Sequence, residues 1–64
     1  MKITFPNGDI KEFADGTTGF EIAKSISEGL ARNALGIEVD DKRYDIHSPI
    51  YQDGKIRIFT FDDP

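Results

Sequence analysis

Few residues in this chain could do chemistry. Its 64 residues include one His and no Cys or Trp. That imidazole, His47, has Asp45 two residues before it and Pro49 two after it, in a stretch that reads as a connection. A histidine can act as a general base or a metal ligand, but each role needs company. The first requires a nucleophile or an activated water, the second at least one further converging ligand. Neither is offered, so His47 reads as a surface or turn residue. The acidic pairs Asp40-Asp41 and Asp62-Asp63 carry oxygens of the kind a calcium ion takes, without the alternating donor spacing of an EF-hand loop. They read as a solvated turn and a linker. Thr17-Thr18 could hold a phosphate at a helix N-terminus, although capping is the ordinary use of such a pair. Gly8, Gly16, Gly19, Gly29, Gly36 and Gly54 sit where turns and caps are expected, and no phosphate-binding glycine string occurs. No residue is assigned a catalytic, cofactor-binding or metal-binding role.

The residues that remain are aromatic. Phe59 and Phe61 alternate with Ile56 and Ile58 on the last apolar run. In a strand, residues two apart share a face. With Ile56 and Ile58 turned inward, Phe59 and Phe61 lie on the other side, as cover for the sheet or as a patch that docks a neighbouring domain.

The elements that would position them follow from periodicity and turn chemistry. Lys2 to Phe5 alternates polar and apolar, Pro6-Asn7-Gly8-Asp9 supplies a hairpin turn, and Ile10 to Phe13 returns as a second strand. Ile10 and Phe13 are three apart and cannot share a strand face, so a bulge or an early exit is expected near Phe13. Thr18-Gly19-Phe20-Glu21 is a capping box, and Glu21 also suits the positive end of the helix dipole. Ile22, Ala23, Ile26 and Leu30 then form an apolar stripe, with Gly29 as the expected helix stop. Leu35, Ile37 and Val39 alternate as a third strand with an inward face, and Asp40-Asp41 turns the chain. Lys42 to Asp45 reads as a charged edge strand. Pro49 fixes a crossing segment, Asp53-Gly54 turns, and Lys55 to Thr60 closes the fold.

A lone helix covers only one face of a sheet. The order therefore specifies an α+β fold, a ubiquitin-like β-grasp roll with a mixed sheet of about five strands and one main helix packed on one face. The expected core is Ile3, Phe5, Phe13, Ile22, Ile26, Leu30, Leu35, Ile37, Val39, Ile50, Ile56 and Ile58. The domain spans 1–61, and 62–64 begins a linker.

Composition narrows function mainly by exclusion. Twelve acidic residues against eight basic ones give a net charge of −4, with the basic residues scattered rather than gathered into a stripe. Phosphate neutralisation supplies most nucleic-acid affinity, so tight binding to RNA or DNA by this chain alone is not expected. No apolar run approaches the ~20 residues of a membrane span, and no signal peptide is visible. A cytoplasmic monomer is the expectation.

One longer pattern carries more. Gly16-Thr17-Thr18, Glu21-Ile22-Ala23, Ile26, Gly29-Leu30-Ala31-Arg32 and Ala34-Leu35, with Phe5-Pro6-Asn7-Gly8-Asp9 before them and Asp53-Gly54, Ile56-Arg57-Ile58 after, resemble the TGS domain. That family takes its name from threonyl-tRNA synthetase, GTPases and stringent-response alarmone enzymes. The alarmone and GTPase versions usually have a His after the helical Ile, where this chain has Ser27. The synthetase version usually reads Gly-Leu-Ala-Lys/Arg, as at Gly29 to Arg32, and Met1 directly before the first strand matches its opening position. One departure is the turn that is commonly Asn-Gly in the family and is Asp40-Asp41 here.

The resemblance implies a non-catalytic N-terminal domain of a threonine–tRNA ligase, with a ligand-sensing domain of an alarmone enzyme or GTPase as the alternative. The parent would charge tRNA with threonine using ATP, Mg²⁺ and Zn²⁺ held in later domains. The implied partners are the following editing and catalytic domains of the same chain, and tRNA at most weakly.

Overall fold

Alternation at the N-terminus builds the first hairpin, in which β1 (Lys2–Thr4) pairs antiparallel with β2 (Ile10–Glu12), matching Ile3 to Lys11. The structure, a computed structural model, describes residues 1–60. The hairpin turn closes with the Phe5 amide donating to the Asp9 carbonyl and the Gly8 amide to the Phe5 carbonyl. Gly8 takes the left-handed conformation, φ 95°, that the bend requires. β2 ends at Glu12. The Phe13 amide then donates to the Met1 carbonyl at 2.9 Å, and its ring packs 6.4 Å from Phe5. The expected early exit is therefore present. It puts Phe13 against the core and leaves Ile10 64% exposed on the opposite face.

β3 (Thr17–Thr18) leads into α1 (Gly19–Ile26), and the expected cap is in place. The Thr18 hydroxyl accepts from the Glu21 amide at 3.2 Å and donates to the Glu21 carboxylate at 3.3 Å. Glu21 thus returns to the capping hydroxyl rather than to the cap's amide. The helix ends sooner than the apolar stripe suggested. Ser27 is extended, with φ −164°, and closes α1 through its amide on the Ala23 carbonyl. Its hydroxyl accepts from Leu30 and starts a second helix, α2 (Glu28–Asn33).

Two helices therefore stand where one was expected, and Gly29 lies inside the second instead of stopping the first. The physical reason is the serine at the junction, whose side chain caps a new helix start in place of a glycine-mediated stop. The stripe breaks with it. Ile26, the last residue of α1, is 47% exposed and not core, and Leu30 is half-buried.

β4 (Ala34–Val39) pairs with β5 (Lys42–Asp45) across a turn in which Asp40 and Asp41 both have positive φ, 48° and 70°. That is the two-residue hairpin geometry matching strand twist. β6 (Pro49–Ile50) pairs with β3, and β7 (Gly54–Thr60) runs through the middle of the main sheet. The sheet order is β2-β1-β7-β4-β5, with β1 and β7 parallel and the other neighbours antiparallel. This is the mixed five-strand sheet of a β-grasp roll, with the charged strand β5 at an edge as expected.

The register of β4 against β7 slips between Ala34 and Gly36, which oppose Thr60 and Phe59. Two steps along β4 thus answer one step along β7, and Leu35 is the extra residue of a bulge. Leu35 is 51% exposed, so its place in the expected core is corrected. The core is Ile3, Phe5, Ile22, Ile37, Val39, Ile46, Ile50 and Ile56, with Ala23 and Ala31 buried beneath the helices. Phe13 and Ile58 pack against it half-buried. Ile46 was not anticipated. It lies between β5 and β6, where its carbonyl accepts the Phe20 amide at 2.7 Å.

Candidate functional site

Residues paired across strands share a face. The face away from the helices therefore carries Lys55, Arg57 and Phe59 from β7, Gly36 and Glu38 from β4, and Arg43 and Asp45 from β5. Gly36 opposes Phe59 and has no side chain to fill the space beside the ring. Two guanidinium groups occupy that neighbourhood. Arg43 lies 4.5 Å and Arg57 4.9 Å from the Phe59 ring centroid. Such contacts are worth about 0.5–1 kcal/mol each when exposed. Among the described residues the ion pair present joins the Met1 amino group to Asp15, and none engages either arginine. Phe59 is half-buried. The result is an aromatic ring contacted by two cations, near the end of β7. Phe61, its expected companion, lies outside the described residues.

Arg57 could have been read beside Phe59 from spacing alone, since the two are separated by one residue in a strand. Arg43 could not. It reaches the ring across β4, and only the register of Arg43 against Glu38 and of Glu38 against Arg57 brings it there.

The other candidates resolve into structural roles. The Asp40 carboxylate accepts the Lys55 amide at 3.0 Å and braces its turn. The Thr17 hydroxyl donates to the Ala14 carbonyl at 2.7 Å, beside the Thr18 cap. His47 is exposed, its ring stacked on Phe20 with centroids 5.4 Å apart and planes at 26°. Among the described residues no group of three or more His, Asp or Glu side chains is placed to hold a metal ion, and no helix is long and apolar enough to cross a membrane.

On the helix side, Phe20, Lys24, Glu28, Ala31 and Arg32 line an open cleft of about 200 Å³. Lys24 and Arg32 are each four residues from Glu28, yet no ion pair joins them among the described residues. Periodicity alone does not reveal this cleft. It needs α1 and α2 to be separate helices, and the continuous stripe concealed their junction.

Fold and topology together define a small β-grasp module. Comparison with known proteins is more specific. A family model described as "TGS domain" matches residues 1–60, and the chain belongs to that family. A threonine–tRNA ligase of Petrotoga mobilis is 49% identical over 63 residues, 98% of this chain and 10% of that protein. Threonine–tRNA ligase 1 of Bacillus subtilis is 48% identical over 60 residues, 94% of this chain and 9% of that protein. The chain thus spans about a tenth of the length of these relatives, and it matches their N-terminal region.

Proposed function

We propose that this chain is the non-catalytic N-terminal domain of a cytoplasmic threonine–tRNA ligase, docked on the domains that follow it through the helix-free face of its sheet. The observation that carries the docking is the Phe59 ring with both the Arg43 and Arg57 guanidinium groups close to its centroid, at 4.5 and 4.9 Å. Two guanidinium groups without an ion pair among the described residues suit a surface that presents carboxylates, and arginine and aromatic side chains are the usual anchors of interfaces. Residues 62–64 serve as the linker, and strand alternation in the sequence adds Phe61 to the docking residues. Aminoacylation, with its ATP, Mg²⁺ and Zn²⁺, belongs to the later domains. The isolated domain is a monomer, and its contact with tRNA is weak because its basic residues form no stripe.

The test compares two chains. In the full-length ligase, Arg43→Ser with Phe61→Ser should speed proteolysis between residue 60 and the next domain. In the 64-residue chain the same pair of changes should lower the melting midpoint only by the few degrees that one lost exposed cation–π contact accounts for. Unaltered proteolysis in the full-length ligase would refute the docking.

A further inference from the structure

The turn of the first hairpin combines two residues whose neighbouring groups can react with each other. Asn7 is followed by Gly8, whereas the other asparagine, Asn33, is followed by Ala34. Residues 6–10 are all exposed. A Cβ built on Gly8 would meet nothing within 4 Å, so no packed atom restrains that peptide unit. Hydrogen bonds hold it instead. The Gly8 amide donates to the Phe5 carbonyl at 2.9 Å. The Asn7 carboxamide oxygen accepts the Asp9 amide at 3.0 Å, and its nitrogen donates to the Asp9 carboxylate at 3.2 Å. We propose that Asn7 is a site of spontaneous deamidation, suppressed while these bonds hold and released when the hairpin opens.

The reaction needs only the chain and water. The Gly8 amide nitrogen, having given up its proton, attacks Asn7 Cγ, and the bond from Cγ to Nδ2 breaks. Nδ2 takes up the proton that the amide gave and leaves as ammonia, closing a succinimide ring. Water then adds to one of the two ring carbonyl carbons. Opening on one side yields aspartate at position 7. Opening on the other yields isoaspartate, in which the main chain runs through Cγ. Gly8 favours the attack because it has no Cβ to hinder approach to its nitrogen. The folded turn opposes it twice, by binding the Gly8 proton to Phe5 and by tying the Asn7 carboxamide to Asp9. Opening is a local event, since β2 is an edge of the sheet and its three residues are exposed. The product suits the turn less well than the reactant. A donor 3.2 Å from the Asp9 carboxylate becomes a second negative charge, and isoaspartate lengthens the main chain of the turn by a methylene. Deamidation thus loosens the hairpin that restrained it, and the loss of ammonia makes the change one-way.

Peptide mapping by mass spectrometry provides the test. The 64-residue chain is held at mildly alkaline pH beside a short peptide of residues 5–10, which serves as the unstructured reference. The peptide should exchange the amide NH₂ of Asn7 for OH and give both products. The folded chain should do so about tenfold or more slowly, and in urea it should reach the rate of the peptide. Asn33 should stay intact over the same period. Asp9→Ala frees the Asn7 nitrogen from its acceptor, so it should raise the folded rate severalfold and leave the rate of the peptide nearly unchanged. The deamidated chain, separated by its extra negative charge, should show faster hydrogen exchange at the Phe5 and Gly8 amides than the unmodified chain. Unaltered exchange at Ile37 in the same sample would exclude global unfolding as the cause. The proposal is overturned by equal rates in the folded chain and the peptide, by a folded rate that Asp9→Ala leaves unaltered, by modification of Asn33 ahead of Asn7, or by unaltered exchange at Phe5 and Gly8 after deamidation.

Discussion

Thr18 shows how much one hydroxyl can do. It satisfies the Glu21 amide at the start of α1 and holds the Glu21 carboxylate over the same turn. Replacing it with Ala should cost about 0.5–2 kcal/mol, and the midpoint of thermal unfolding should fall by several degrees. Asp41 invites the opposite experiment. Its φ of 70° is one that glycine adopts freely and a side chain does not. Asp41→Gly should raise stability by up to about 1 kcal/mol, partly offset by the freedom glycine regains in the unfolded chain. Asp40 should not be changed with it, because its carboxylate braces the Lys55 amide. A lower midpoint in Asp41→Gly would show that the aspartate side chain contributes more than its backbone strain costs. Both sites were legible in the sequence because caps and turns are local: four consecutive residues specify each. The Arg43 contact with Phe59 was not, since it depends on the pairing of three strands.

At the level of elements, the misread positions share a cause. Periodicity assigns a face only while an element remains regular. Ser27 ends one helix and starts another, and the slip at Leu35 inserts a residue into β4, so Ile26 and Leu35 leave the faces their spacing gave them. Downstream of each break the pattern is correct again, as Ile37 and Val39 show. Leu35→Ser should therefore shift stability by less than about 0.5 kcal/mol, as exposed substitutions do. Ile37→Ala, two residues on and fully buried, should cost about 2–5 kcal/mol. Equal losses in urea denaturation would contradict the bulge.

Gly19 sets propensity against packing. Alanine at this first helical position would gain up to about 1 kcal/mol in helix preference. Its Cβ, however, would lie 2.7 Å from Ile37 Cγ2 and 3.1 Å from the Ile46 carbonyl. Overpacking of that kind typically costs about 1–3 kcal/mol, so Gly19→Ala should destabilise on balance. A raised midpoint would mean that α1 can move away from the sheet.

For the molecule as a whole, the sequence conveyed the layer architecture and the family, whereas the surfaces had to be found in the fold. Strand order could not be read from periodicity, because the first and last strands become neighbours only through the crossover that the helices make. The division of faces follows from that order. Helices and cleft stand on one side, and Phe59 with its two arginines on the other. The 64-residue chain alone should neither activate threonine nor hydrolyse ATP or GTP. Pyrophosphate-exchange and phosphate-release assays should give blank values, and turnover abolished by a point change within this chain would refute the accessory role.

The parallel pairing of β1 with β7 also has a mechanical consequence. Ile3 lies beside Gly54 and Thr4 beside Lys55, with both strands running the same way. A force that draws Met1 and Thr60 apart pulls these neighbours in opposite directions along their own axes, so their cross-strand bonds bear the load together. Handles placed at Lys2 and Glu12, partners facing each other at the open end of an antiparallel pair, would instead open β1 from β2 one bond at a time. Forced unfolding follows the unfolding rate rather than equilibrium stability. The same domain should therefore yield at distinctly higher force when stretched end to end than when peeled at its first hairpin, and a tug from the rest of a longer chain would meet it in its stiffer direction.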